Sequence, residues 1–150
     1  MKESKFSYSL SIMAVYQATL KGRDFLELSA ESGNTHFKVI GCTELLSLIR
    51  KFQIQFGKNA LAWPLPTGVT HSELLLKEVL LKAQGKWAYP YEEQEICHCR
   101  SVPTETVDQA VIAGAHQCQK VSRQTSASTA CGACRPNVQK IIDFRLERFP

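Results

Sequence analysis

The chain lacks long apolar runs, and this absence bears on its relation to membranes. No apolar segment of its 150 residues approaches the roughly 20 residues that a membrane-spanning helix needs. Residues 1–5 are basic enough to open a signal peptide. However, polar residues interrupt segment 6–17, and no small-residue cleavage site follows it. We therefore expect a cytoplasmic protein with no membrane partner.

The chain also lacks blocks of like charge and familiar catalytic motifs. Its net charge of +4 is modest and is spread along the sequence, which argues against a nucleic-acid partner. We find no nucleophile–base pair, no phosphate-binding loop, no internal repeat and no low-complexity tract. We therefore expect no catalytic residues and no enzymatic activity.

What the chain does have is cysteine, in a composition that is otherwise ordinary. Hydrophobic residues make up 44% and charged residues 21%, as in a globular protein of one domain or two small ones. There are six cysteines. In a reducing compartment, that number indicates metal or redox chemistry rather than a disulfide framework.

Four of the cysteines form two tight pairs. Cys97 and Cys99 form a C-x-C pair, and Cys131 and Cys134 form a C-x-x-C pair. The segment between the pairs, residues 100–130, is long enough for two short helices, so the pairs can lie on two facing loops. Iron–sulfur clusters need four thiolates, and zinc often takes four. The spacing therefore predicts one metal centre shared by both pairs.

The C-terminal third of the chain resembles the small domain of bacterioferritin-associated ferredoxin, which also occurs in the middle of the scaffold protein NifU and in some nitrite reductases. The matching segments are residues 96–99, 107–115 and 131–136. The motif is specific, because the C-x-C pair, the C-x-x-C pair and the long spacing between them must all match the family. The resemblance implies a [2Fe-2S] cluster, and its ligands would be Cys97, Cys99, Cys131 and Cys134.

The surroundings of this predicted cluster differ from the family in one respect. The family tends to place glycines before the second cysteine pair, where this chain has residues 126–130, Ser-Ala-Ser-Thr-Ala. We expect that loop to be stiffer or set further from the cluster. The cluster and its four thiolates would carry a charge of about −2 or −3. The sequence offers Arg100, Arg135, Lys120, Arg123 and two predicted helix starts, at Pro103 and Pro136, to balance it.

Other interpretations of the cysteines remain open. Structural zinc takes four cysteines, although it usually pairs C-x-x-C with C-x-x-C. The second pair alone could be a thiol–disulfide motif, but such a motif normally follows a buried strand rather than a polar run. We expect His98 to point away from the metal. We expect Cys118 to be a buried thiol beside Val121 on a short helix.

The N-terminal part alternates between strand and helix patterns. Strands are predicted at residues 6–12, 25–28 and 36–40, with turns at 21–23 and 32–34. Apolar residues at helical spacing predict a helix ending at Phe56. The spacing of Thr70 and Glu73 predicts a capping box that opens a second helix, which ends near Gly85. Helices are also predicted from Pro103 or Thr104, over about 117–124, and from Pro136.

This N-terminal half resembles, more faintly, the U-type iron–sulfur assembly scaffold, an α+β fold. Residues 37–42 followed by a helix, and the run from Leu65 to Ser72, carry the resemblance. The family uses three cysteines. Cys42 matches one of them, Ser72 stands at the position of another, and residues 1–41 contain no counterpart of the third. The resemblance implies a half that no longer assembles clusters in the usual way.

Together these patterns predict an α+β chain. Residues 1–88 form a small antiparallel sheet with two helices, residues 89–95 form a linker, and residues 96–150 form a small all-α cluster-binding domain. We expect a [2Fe-2S] protein that acts in electron transfer, or in iron–sulfur assembly or iron homeostasis, by docking to a redox or iron–sulfur partner protein. The alternative is a zinc-stapled interaction module without redox activity.

Overall fold

The computed structural model describes residues 13–147, and these form a mixed α+β structure. The strands are β1 Ala14–Leu20, β2 Asp24–Glu31, β3 Asn34–Ile40, β4 Glu95–Cys97 and β5 Val102–Pro103. The helices are α1 Thr43–Phe56, α2 His71–Ala83, α3 Thr104–Ile112, α4 Cys118–Thr125 and α5 Arg135–Leu146, with a 3-10 helix at Ala60–Ala62. The predicted fold class is confirmed, with a two-stranded sheet added to the C-terminal part.

The N-terminal sheet is antiparallel, in the order β1-β2-β3. Strand β2 is central, pairing Leu28 with Tyr16 on one side and with Phe37 on the other. Its alternate residues Leu26 and Leu28 are fully buried, as one face of a half-buried strand requires. The turns predicted at 21–23 and 32–34 connect these strands.

The first strand, like β4 and β5, was not identified by the sequence pattern. We predicted a strand at residues 6–12, and that segment lies outside the described residues. The structure instead has β1 at Ala14–Leu20, pairing along its whole length with β2. Apolar and polar side chains alternate only weakly along β1, because Ala14, Ala18 and Thr19 are small or polar. The strand is therefore recognised by its hydrogen-bonded pairing with β2 rather than by its side-chain pattern.

Helix α2 is the centre of the N-terminal packing. The predicted capping box is confirmed: Thr70 accepts a hydrogen bond from the backbone N–H of Glu73, and the Glu73 carboxylate accepts one from Thr70. Seven consecutive residues, Leu74 to Leu80, are buried, which is more than one amphipathic face. The helix is buried all round because the sheet covers one side and the C-terminal helices approach the other.

Two apolar clusters organise the chain. One joins the sheet, α1 and α2, and it includes Ile112 from α3. The other joins α3, α4 and α5 around Val107, Val121 and Ile141, and the aromatic rings of Tyr89 and Tyr91 pack against it. The predicted starts of α3 and α5 agree with the structure to within one residue, because Thr104 and Arg135 are their first residues.

A buried arginine joins the two clusters. Arg145 of α5 is 4% exposed and donates to Glu78 of α2 at 2.9 Å and to Asp108 of α3 at 2.7 Å. Burial alone would lower the pKa of Arg145, but hydrogen bonds and charge from Asp108 and Glu78 outweigh it and raise the pKa above its ordinary value. The guanidinium of Arg145 therefore connects α2, α3 and α5.

Replacing Arg145 by methionine should lower the free energy of unfolding by about 3–5 kcal/mol, because the half-buried Asp108 loses its cationic partner and the buried Glu78 keeps only Lys82. Urea unfolding followed by circular dichroism measures this. Lys21→Met is the matched control, since Lys21 and Glu105 form an exposed ion pair whose loss should cost about 0–1 kcal/mol. Equal destabilisation by the two substitutions would contradict a structural role for the buried ion pair.

Candidate metal centre

Two loops bring the four paired cysteines together. The first pair lies at the end of β4 and in the turn that leads to β5. The second pair ends at Cys134, which caps the N-terminus of α5. Gly132 has φ +71°, a left-handed conformation that glycine adopts without strain and that lets the chain turn between Cys131 and Cys134.

The sulfur atoms of these cysteines converge. The Sγ atoms of Cys97 and Cys99 lie 3.6 Å apart, and those of Cys99 and Cys131 lie 3.4 Å apart. Cys97 and Cys134 are buried, whereas Cys99 and Cys131 are exposed. All four line one cavity of about 130 Å³. The site thus has a buried half and an open half.

The donor set suits a thiolate-bound metal centre. A tetrahedral ion with metal–sulfur bonds of about 2.3 Å holds its sulfurs about 3.8 Å apart, close to the observed separations. A two-iron core spans more than a single ion does. Each iron of such a core takes two of the four thiolates, so at least one of the two close pairs, Cys97–Cys99 or Cys99–Cys131, must separate to admit it. Cys99 and Cys131 both lie in exposed loops, where movement costs little packing.

The protein surroundings shift the thiol pKa values in opposite directions. The backbone N–H of Ala133, together with Cys99, lowers the pKa of Cys131. Burial raises the pKa of Cys134, while hydrogen bonds from Ser128 partly oppose this. Metal ligation requires thiolates, so Cys131 is the member of the second pair that ionises more readily.

The loop before the second pair differs from what we predicted. Ser128 lies 2.9 Å from the Cys134 sulfur, so the prediction that this loop sits further away is wrong at that residue. Ser126 and Ser128 have φ values of 68° and 62°. These serines adopt the left-handed conformation that glycine would favour, at a cost of about 1–3 kcal/mol each. Ser128 was missed because nothing in its sequence context distinguishes it from its neighbours.

The basic residues that the sequence offers to balance the cluster charge lie on the surface. Arg100 and Arg135 are exposed beside the cysteine pairs. The positive end of the α5 dipole lies at Cys134, as predicted, since the helix begins at the next residue. This dipole can stabilise negative charge on the Cys134 sulfur.

His98 and Cys118 have other contacts in the structure. The His98 ring is 69% exposed and meets Glu95 through Nδ1 at 2.7 Å. That hydrogen bond raises the pKa of His98 above its ordinary value. Cys118 is buried beside Val121, as predicted, and donates to the Gln139 side chain at 3.1 Å. Neither contact joins these side chains to the four-cysteine cluster.

The sequence-predicted residues of the N-terminal half lie in a second group. The Cys42 sulfur is 3.1 Å from Nε2 of His71 and 3.9 Å from the hydroxyl of Ser72. Asp24 also meets this group, through His71 at 3.5 Å. The sequence analysis did not single out Asp24. It follows a turn, and only its pairing with Leu20 of β1 and its burial in the structure show that its side chain points inward.

Comparison with known proteins gives two matches. Residues 95–143 match the family described as the BFD-like [2Fe-2S] binding domain. The large subunit of nitrite reductase [NAD(P)H] from Klebsiella oxytoca is 31% identical over 97 residues, which cover 62% of this chain and 10% of that protein. The chain therefore spans about a tenth of the length of this relative. No solved structure matches the chain.

The family match includes all four clustered cysteines and the helices that position them. Because the family binds [2Fe-2S] clusters, the cofactor implied by the resemblance agrees with the thiol cluster in the structure. Residues 95–143 therefore belong to the BFD-like [2Fe-2S] binding domain family.

Proposed function

We propose that the protein holds one [2Fe-2S] cluster on Cys97, Cys99, Cys131 and Cys134 and exchanges single electrons with a partner protein. The observation that carries this proposal is that four thiols converge while two of them remain exposed. An electron carrier needs its cluster near the surface, because its partner must approach closely. When bound, the cluster supplies the one-electron chemistry, and the chain supplies position and potential.

The chain has features that would tune the potential of such a cluster. Reduction adds negative charge, and donors aimed at sulfur stabilise the reduced form. The Ser128 hydroxyl lies 2.9 Å from the Cys134 sulfur and would donate to it once that sulfur is a thiolate, and the backbone of Ala133 lowers the pKa of Cys131. The cavity beside the sulfurs is lined by apolar and aromatic groups as well, including Ile96 and Tyr91, which limit water on one side.

In this proposal the protein is cytoplasmic and is not itself an enzyme. No helix within residues 13–147 is long and apolar enough to cross a bilayer. The partner would be a redox or iron–sulfur protein that approaches the exposed half of the cysteine cluster.

Cluster assembly or iron homeostasis is a second role for the same centre. One-electron reduction without loss of iron supports the carrier, whereas transfer of the cluster to an apo-ferredoxin supports assembly.

A zinc-stapled interaction module is the competing function. The separations of 3.4 and 3.6 Å between neighbouring sulfurs are compatible with a tetrahedral ion. No three of the four sulfurs lie mutually within 4.8 Å, so a single zinc would have to draw them together. Iron, acid-labile sulfide and zinc analysis of protein purified without oxygen separates the two functions. A cluster gives about two irons and two sulfides per chain and a red-brown colour. Colourless protein with one zinc and no sulfide would replace the redox proposal.

Serine substitutions test the ligand assignment. Cys97→Ser and Cys134→Ser should each abolish stable cluster binding, because each removes one of four thiolates. Cys118→Ser is the matched control, since it changes a buried thiol outside the cluster and should keep the iron content of the wild type. Iron and sulfide content and the visible spectrum measure the outcome. Equal cluster content in all three variants would overturn the assignment.

Substitution of Ser128 tests the control of the potential. Ser128→Ala removes a hydroxyl donor to the Cys134 sulfur, so the reduction potential should fall by roughly 20–60 mV, equivalent to about 0.5–1.4 kcal/mol for one electron. Redox titration followed by absorbance measures the shift. Ser126→Ala is the control, because Ser126 shares the left-handed backbone. The tuning role would be ruled out by an unchanged potential in Ser128→Ala.

A further inference from the structure

The carboxylates of the C-terminal part are largely engaged within the fold. Glu105 and Glu147 form ion pairs of 2.9 Å with Lys21 and Lys77 of the N-terminal part. Asp108 is held by the buried guanidinium that also binds α2. The negative charge along the boundary between the two parts is therefore neutralised by groups of the protein itself.

The remaining carboxylates of this part lie before the first cysteine pair or on α5. Glu93 and Glu95 both contact the ring of His98, at 3.6 and 2.7 Å. Asp143 accepts a hydrogen bond from a glutamine side chain at 2.8 Å. Only Glu92 among them forms no ion pair or side-chain hydrogen bond with another described residue. Little negative charge is therefore left without a partner.

The basic side chains of the same part are arranged in the opposite way. Apart from the buried Arg145, residues 89–147 contain five lysines and arginines, and all five are exposed. None of the five forms an ion pair or a side-chain hydrogen bond with another described residue. They are Arg100, Lys120, Arg123, Arg135 and Lys140. The C-terminal part therefore presents unpaired positive charge on its surface.

Two of these basic side chains flank the converging sulfurs. Arg100 directly follows Cys99, and Arg135 directly follows Cys134 as the first residue of α5. Because Cys99 and Cys134 line the same cavity, the two arginines border it from different loops. Lys140 lies more than one turn further along α5. Positive charge is therefore present on both loops that form the metal centre.

Two more of the basic side chains lie on α4, which leads to the second cysteine pair. Lys120 and Arg123 are three residues apart, so they share one face of this helix. The start of α4 borders a cavity together with Arg135, which places this helix beside the start of α5. After α4 the chain returns to the metal centre, where Ser128 lies 2.9 Å from the Cys134 sulfur. We call these four side chains the basic rim: Arg100, Lys120, Arg123 and Arg135.

The basic rim contributes little to the stability of the fold. Exposed charges stabilise a protein only slightly even when they are paired, and these charges are unpaired. Like charges on one surface also repel one another. What exposed charges of this kind do is act on an approaching molecule, because they steer the encounter and restrict its orientation.

We propose that the basic rim docks an acidic surface of the electron-transfer partner, so that the redox group of the partner meets the exposed half of the cysteine cluster. This inference rests on the proposed function, because it names the kind of partner that the same centre serves. An acidic protein is favoured over nucleic acid, since the rim has four charges on two loops and a helix rather than a continuous basic stripe, and the net charge of +4 is modest.

The test uses two small oxidants of opposite charge on the full chain, loaded with its cluster and then reduced. The ferric EDTA anion and the hexaamminecobalt(III) cation each accept one electron from the reduced protein, giving iron(II) and cobalt(II). At low ionic strength, the double variant Arg100→Gln, Arg135→Gln should react about fourfold more slowly with the anion and faster with the cation. Two charges about 8 Å from the oxidant in water account for this, each by a factor of about two. Stopped-flow absorbance measures both rates.

Salt and a distant substitution provide the controls. At about 1 M salt the Debye length falls to about 3 Å, so the double variant and the wild type should react alike. Arg50→Gln removes an exposed charge on α1, in the N-terminal part, and should change neither rate. A changed reduction potential moves both rates in the same direction, whereas a changed surface charge moves them in opposite directions. The docking surface is overturned if the double variant reacts as the wild type does, or if both rates move together.

Two further measurements separate this docking surface from its alternatives. Fluorescence anisotropy with a labelled DNA duplex at physiological salt should show binding no tighter than about 1 µM, the limit of non-specific affinity. Tighter binding would assign the rim to nucleic acid and overturn the acidic protein partner. Iron analysis of the purified chain comes first, because a chain that holds no cluster refutes the proposed function and this inference with it. A loaded cluster whose rates do not respond to the rim refutes the docking surface alone.

Discussion

The structure of the metal centre depends on one constraint, which is that four sulfur atoms from two distant loops must meet without a disulfide to hold them. The two pairs are separated by residues 100–130, and α3, α4 and part of the intervening chain fill that interval. What brings the loops together is the apolar core of α3, α4 and α5, because Cys97 and Cys134 are themselves part of it. The buried half of the site belongs to the core, and the open half lies on loops that a partner can reach.

The same core extends across the chain through charged as well as apolar contacts. Ile112 of α3 packs into the N-terminal cluster, and Arg145 of α5 joins Glu78 of α2 to Asp108 of α3. On the other side of α3, Gln109 exchanges hydrogen bonds with backbone atoms of Thr19 and Lys21 in the first hairpin. The N-terminal sheet is therefore held against the cluster-binding helices by specific pairs as well as by burial.

The paired cysteines and Cys42 show how the surroundings of a thiol follow from backbone position. At the paired cysteines, four thiols suit an electron-rich cluster whose potential depends on donors to sulfur. At Asp24, Cys42 and His71, one group of each type comes from the start of a separate element, and a buried oxygen of the Asp24 carboxylate has no hydrogen-bond partner among the described residues.

Several features of this protein could be predicted from the sequence because their causes are local. The capping box at Thr70, the helix start beside Pro136 and the turns at 21–23 and 32–34 depend on residues that are neighbours in the chain. The cysteine pairs could be recognised for the same reason, since their short spacing restricts the chemistry they can perform. Strand β1 was missed because its alternation is weak and its pairing with β2 defines it.

The sequence by itself determined the metal-binding chemistry of the C-terminal part, because two short cysteine motifs specify four thiolates and their approximate grouping. Only the tertiary structure decided which groups surround them. Ser128 reaches Cys134 because its backbone turns left-handed, and Asp24 reaches Cys42 and His71 because Gly41 lets two strands approach closely. Such contacts join residues far apart in sequence, and no local pattern can signal them because the fold alone makes those residues neighbours.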